Sequence, residues 1–342
     1  MERPSAAEVA RYWSELLEPY KDADWRRATF QLANSVLIYA GLWWLMYKSL
    51  AYGYWLTLLL AVPAAGMLIR LFIIQHDCGH GAFYRSQRLN DRIGGLIGVL
   101  MMTPYQYWRR THARHHATSG DLDRRDLGDV ETLTVREYLE RGRWRRLGYR
   151  LYRNPIILFI FGPAFQFMIK HRFPVDIPRS WKKEWRSVHW TNLGILAGLL
   201  IAWQTIGLVT FLKVQLPITL FAGTIGIWLF YMQHQFEDTY WRRNPEWNFH
   251  RAGIEGASMY DLPAVLHWFT GNIGFHHIHH LSSRIPNYRL RQAFKNLPEL
   301  DCVTKLTIWQ SLKSLNLRLW DEDERRLVGF RHLKQLRARA SG

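Results

Sequence analysis

Cysteine is nearly absent: Cys78 and Cys302 are the only two in 342 residues, and they stand far apart in the chain. A disulfide-stapled scaffold is excluded, and a reducing compartment is the simpler setting for both thiols. Acidic residues are also few, with 28 Asp and Glu against 45 Lys and Arg and a formal net charge of +17. No Gly/Ser-rich or Pro-rich linker divides the chain, so a single folded unit is expected. Residues 1–20 contain no apolar core segment, and no cleavable signal peptide is expected there. There is no G-x-G-x-x-G, no P-loop and no iron–sulfur cysteine pattern, so the chain does not itself take electrons from a nicotinamide. With 48% apolar and 15% aromatic residues, disorder is excluded as well.

Charge is missing most tellingly from four stretches: residues 28–47, 49–69, 191–212 and 214–233. Each has the ~20 residues that a helix needs to cross the ~30 Å hydrocarbon layer. Lys48 and Lys213 separate the members of each pair, which predicts two hairpins with a lysine in each turn. The remaining 43 of the 45 cationic residues lie outside the hairpins. Lys and Arg next to a span stay on the cytoplasmic side, so both termini and the long middle segment are expected there. Two shorter uncharged stretches, residues 93–108 and 154–169, contain Pro104 and Pro163 and read as re-entrant or interfacial helices. Residues 6–17 have the apolar spacing of an interfacial helix.

The expected fold is therefore an all-α integral membrane protein: four transmembrane helices in two hairpins, interfacial helices, and a cytoplasmic helical cap. Its segments are an N-terminal interfacial piece (1–27), a first hairpin (28–69), a cytoplasmic and interfacial region (70–187), a second hairpin (188–234) and a cytoplasmic region with a basic tail (235–342). The basic flanks suit anionic lipid headgroups and an acidic partner rather than nucleic acid.

Nine of the 15 histidines fall in three clusters: His76-x-x-x-His80, His112-x-x-His115-His116 and His276-His277-x-His279-His280. On a helix, positions i and i+4 share a face and i+3 lies beside them, so each cluster can turn two or three imidazoles toward one point. All three fall on the cytoplasmic side of the expected topology. So many imidazoles exceed the capacity of one metal ion, and two ions close together are the economical reading. Histidine suits iron, copper, nickel and zinc, so the ligand type alone does not choose among them. Rival readings place the histidines elsewhere: a metal transporter lines its spans with ionisable ligands, and a heme-anchoring cytochrome needs single histidines facing each other across spans.

The three histidine boxes, with HDCGHGAF, RLNDRIGG, PYQYWRRTHARHH, SGDLDRRDLGDV, QHQFEDTYW and GNIGFHHIHHLSSRIPNY, resemble the integral-membrane fatty acid desaturases. The likeness runs from about residue 70 to residue 290 and is to the acyl-lipid, delta-12/omega-3-like branch that includes bacterial enzymes. It implies a bacterial cytoplasmic-membrane enzyme that desaturates acyl chains of lipids at two iron ions, with O2 as co-substrate. The same pattern is shared by membrane hydroxylases, ketolases and epoxygenases. Carried over by position, the implied ligands are His76, His80, His112, His115, His116, His276, His279 and His280. His234, at the end of the fourth stretch, is implied as a ninth, directly or through water. Metal-bound imidazoles need their second ring nitrogen held, and Asp77, Asp126, Asp129, Glu237, Asp238 and Asp261 are candidates, with His277 a supporting residue rather than a ligand. Electrons are implied to come from a separate ferredoxin or cytochrome b5.

Overall fold

A computed structural model describes residues 6–125 and 128–340. It is mainly helical. In order come α1 (Ala6–Leu17), α2 (Trp25–Ser49), α3 (Tyr54–His80), α4 (Gln87–Leu100) and α5 (Tyr105–Thr118), then β1 (Leu133–Thr134), α6 (Val135–Glu140) and α7 (Arg143–Tyr152). After α8 (Gly162–Phe165) come α9 (Lys182–Thr205), α10 (Leu208–His234), α11 (Phe249–Glu255) and β2 (Met259–Asp261). The last part holds α12 (Ala264–Phe269), α13 (His276–Leu281), α14 (Asn287–Asn296), β3 (Lys305–Thr307), α15 (Ile308–Ser311), β4 (Leu319–Asp321), β5 (Arg326–Val328) and α16 (His332–Ala340).

Four long helices stand where the uncharged stretches lie. Two of them, α3 and α10, are long and apolar enough to cross a membrane. The expected turns are displaced, however. Lys48 sits in the last turn of α2 and Lys213 inside α10. The chain reverses instead at Gly53 (φ 147°) and Gly207 (φ 83°). A lone lysine interrupts the apolar run without breaking the backbone hydrogen-bond ladder, whereas a positive φ ends it.

The α3 helix is central: nearly every residue from Ala64 to Gly79 is buried. It packs against α2, α4, α5 and α10. Ala61, Ala64 and Ala65 of α3 join Val214, Ile218 and Ala222 of α10 in the largest apolar cluster. Small side chains of this kind let helix backbones approach closely. The expected re-entrant stretch at 93–108 is two helices, α4 and α5, broken by a tight turn in which Met102 has φ 53°. Gly98 makes that turn possible, since a Cβ there would lie 2.5 Å from the Thr103 carbonyl oxygen. Residues 154–169 form α8 flanked by wide π turns at Ile157–Phe161 and Gln166–Lys170. Pro163 lacks the N–H that a regular ladder needs there.

The all-α expectation is corrected in one respect. Among the described residues two small sheets are present, one with the order β1-β4-β5 and one pairing β2 with β3 in parallel. Strands of two or three residues are too short to show an alternating pattern in the sequence.

Candidate metal centre

Four helices deliver nine imidazoles to one buried place. His76 and His80 occupy the last two turns of α3, which Gly81 then ends in the left-handed conformation (φ 68°). His112, His115 and His116 lie on α5, which starts after Pro104, and His234 is the last residue of α10. The six-residue α13 supplies His276, His279 and His280. The first box thus belongs to the same continuous helix as the second apolar stretch rather than to a separate cap.

The nine divide into two groups, His76, His80, His112, His116 and His279 in one and His115, His234, His276 and His280 in the other. Within each group the ligand atoms lie within 4.8 Å of one another. Helical spacing explains the division. On α5, His112 and His116 are one turn apart and face the first group, while His115 points to the second. On α13 the roles reverse, with His276 and His280 sharing the second group and His279 reaching the first. One helix therefore serves both groups, where the spacing alone suggests a single point for each cluster.

The separations are those of ligands around an ion. His112 and His116 Nε2 are 3.1 Å apart, His116 and His279 3.0 Å, His234 and His276 3.0 Å, and His276 and His280 3.1 Å. Two nitrogens ~2.1 Å from one divalent ion and at right angles to each other stand ~3 Å apart.

Tautomers make the case sharper. His115 Nδ1 is hydrogen-bonded to Asp129 Oδ1, and His234 Nδ1 to the Gly256 carbonyl oxygen at 3.0 Å. A carboxylate or carbonyl oxygen accepts and does not donate, so each Nδ1 carries the proton and each neutral ring presents a lone pair at Nε2. Those two Nε2 atoms are 3.2 Å apart. Facing lone pairs at that distance repel, and a cation bound by both removes the conflict. His80 Nε2 is buried with no hydrogen-bond partner among the described residues, a second sign that these rings suit a metal. Burial, followed by the charges of neighbouring histidines, holds His112, His116, His276, His279 and His280 well below the usual imidazole pKa. Neutral rings are the form that coordinates.

Of the carboxylates expected to hold ring nitrogens, two do. Asp129 engages His115, and Asp77 Oδ1 engages His76 Nδ1 at 3.0 Å. The other oxygen of Asp77 accepts from Asn287 N at 2.6 Å and Nδ2 at 2.9 Å. Three others stand elsewhere. Glu237 binds Arg326 at 2.7 Å, Asp238 is exposed, and Asp261 is an exposed end residue of β2. The reason for Glu237 and Asp238 is that α10 ends at His234, so the chain turns away immediately after it. Asp126 lies outside the described residues. His277 is fully buried with its ring against Phe294 and belongs to neither group. Cys78 is buried between His76 and His80 in the chain and also belongs to neither.

Sequence reasoning missed three partners: the Gly256 carbonyl, Asn287, and Trp108, which stacks on His112 with centroids 4.5 Å apart. Trp108 carries a signal, one turn before His112 on the same helix. Asn287 lies in the quoted RIPNY segment but 210 residues from the aspartate it holds.

Comparison with known proteins agrees with this geometry. The family model described as fatty acid desaturase matches residues 52–311. A fatty acid desaturase of Bacillus subtilis (strain 168) is 44% identical over 98% of this chain and 95% of its own length. An endoplasmic reticulum omega-3 fatty acid desaturase of Vigna radiata is 28% identical over 81% of this chain and 77% of its own. An sn-1 acyl-lipid omega-3 desaturase (ferredoxin) of Synechocystis is 29% identical over 65% of this chain and 62% of its own. With matches of this extent across a site built from three histidine boxes, the chain belongs to the fatty acid desaturase family and is a desaturase enzyme.

Proposed function

We propose that this enzyme introduces a double bond into acyl chains of membrane lipids, using O2, at two iron ions held by the nine histidines. The observation that carries the reading is the pair of Nε2 lone pairs on His115 and His234, fixed by Asp129 and Gly256 to face each other across 3.2 Å. In the reaction two hydrogens leave a methylene pair, and O2 takes them together with two external electrons and two protons to give two waters. An iron pair, when bound, supplies the activation of O2 that an unactivated C–H bond requires. The chain's own contribution is to orient. Asp77, Asp129 and the Gly256 carbonyl fix three rings, and burial keeps water from the histidines.

The external electrons call for a separate carrier. Two similar proteins, from Synechocystis and Nostoc, carry ferredoxin in their names, which supports a ferredoxin-type donor over cytochrome b5. Exposed Arg143 and Arg145 offer the positive surface that an acidic carrier needs. A four-span topology with the histidines on the cytoplasmic side is supported by the distribution of Lys and Arg. It is supported too by large apolar side chains exposed on α2 and α9, including Phe30 (73%), Leu37 (70%), Trp190 (70%) and Ile201 (64%). Lipid contact removes the cost of such a surface.

The test is expression in a host lacking polyunsaturated lipids, followed by gas chromatography of fatty acid methyl esters. New unsaturated species that require aeration are expected. A hydroxylated or epoxidised product, or none from protein loaded with iron and supplied with reduced ferredoxin, would refute the reading.

A further inference from the structure

Asn287, which holds Asp77, lines a cavity of about 550 Å³, within the size range of small-ligand sites. Arg70, Arg291 and Lys295 line it, and no carboxylate does. Arg70 is 7% exposed, and its guanidinium lies 4.3 Å over the Trp268 ring. Its Nε donates to Ser35 Oγ at 3.2 Å and its Nη1 to the Trp268 carbonyl. Both partners are neutral. Among the described residues no carboxylate pairs with Arg70, Arg291 or Lys295, so a buried cation and two exposed ones share a cavity without a balancing charge. A buried charge of this kind is costly unless an anion neutralises it.

Position narrows the class of anion. Arg70 lies 16 residues after Tyr54 in α3, which at ~1.5 Å per residue is ~24 Å along the helix. That is close to the edge of a ~30 Å hydrocarbon layer, the level at which lipid headgroups begin. Gln31 also lines the cavity, and its buried Oε1 has no donor among the described residues. A headgroup hydroxyl would supply one.

The cavity is wired to the metal centre. Gln31 Nε2 donates to Asn287 Oδ1 at 2.9 Å, Asn287 Nδ2 to Asp77 Oδ2 at 2.9 Å, and Asp77 Oδ1 holds His76. We propose that this cavity seats the phosphate of an anionic, hydroxyl-bearing membrane lipid whose acyl chain is the substrate. The proposal rests on the desaturase reading above and adds how the lipid is recognised.

The experiment measures binding by the full-length, detergent-solubilised protein through the shift in its thermal transition. The probes are short-chain phosphatidylglycerol, phosphatidylcholine, diacylglycerol and inorganic phosphate. The wild type is expected to bind phosphatidylglycerol about 10-fold or more tightly than the other three, as a charge-assisted phosphate contact implies. Replacing both exposed cations, Arg291→Gln with Lys295→Gln, should abolish that preference and leave the unliganded transition in place. Equal binding of all lipids, a preference that survives in the double variant, or inorganic phosphate binding as tightly as the lipid would each overturn the proposal. The assay needs neither metal nor turnover. A wild type that shows no preference for phosphatidylglycerol yet forms product refutes the cavity alone, whereas a wild type that shows the preference but does not desaturate refutes the function alone.

Discussion

Alanine at His116 is expected to abolish turnover. His116 Nε2 lies 3.1 Å from that of His112 and 3.0 Å from that of His279, so its loss opens the middle of the five-histidine group. Residues that only support metal ligands cost roughly 10–100-fold when removed, and a ligand should cost more. The matched control is His277→Ala, in the same chain segment as three of the nine histidines but in neither group. That variant leaves a cavity beside Phe294 and should cost about 2 kcal/mol of stability while keeping iron and most turnover. Activity and metal content of the two purified variants check the contrast. An active His116→Ala, or an iron-free His277→Ala that remains folded, would contradict the assignment of ligands.

The second large effect is expected at Asp129, which touches no ion in this account. Its carboxylate fixes the proton of His115 on Nδ1 and thereby frees Nε2 to coordinate. Asp129→Ala should weaken metal binding by the four-histidine group by roughly 10–100-fold. Asp129→Asn, which keeps an acceptor oxygen but not the charge, should be milder. Glu237→Ala provides the comparison: its bond to Arg326 is a surface pair with both side chains about half exposed, and such pairs contribute ~0–1 kcal/mol. Metal titrations followed by competition with a chelator separate the three. Asp129→Ala that binds metal like the wild type would remove the carboxylate from the site.

Much of the centre was legible because helical spacing is a one-dimensional record of a three-dimensional face. The intervals in His76/His80, His112/His115/His116 and His276/His279/His280 needed no knowledge of the fold to suggest convergence. The division into groups of five and four was not legible: spacing separates His115 from His112 and His116, and His279 from His276 and His280, but which group each face meets depends on the helices packed around it. Nor were the fine partners. Asp77 adjoins His76 in sequence and Asp129 stands 14 residues from His115, yet Glu237 and Asp238 are closer to His234 than Asp129 is to His115 and face elsewhere. The difference is backbone: Asp77 is carried by the same helix as its histidine, whereas α10 stops before Glu237. The true partner of His234 is a carbonyl, and a main-chain oxygen leaves no trace in residue identity. The hairpin turns were displaced for a related reason, because charge marked Lys48 and Lys213 while conformation was set by Gly53 and Gly207. The cationic cavity joins residues from α2, α3, α12 and α14 and has no local motif at all.

The central claim, two metal ions shared among nine histidines, is tested most directly by the metal content of the purified full-length protein after iron-replete expression. Quantified per chain by inductively coupled plasma mass spectrometry, it should hold close to two irons. One zinc per chain and no iron would contradict the account.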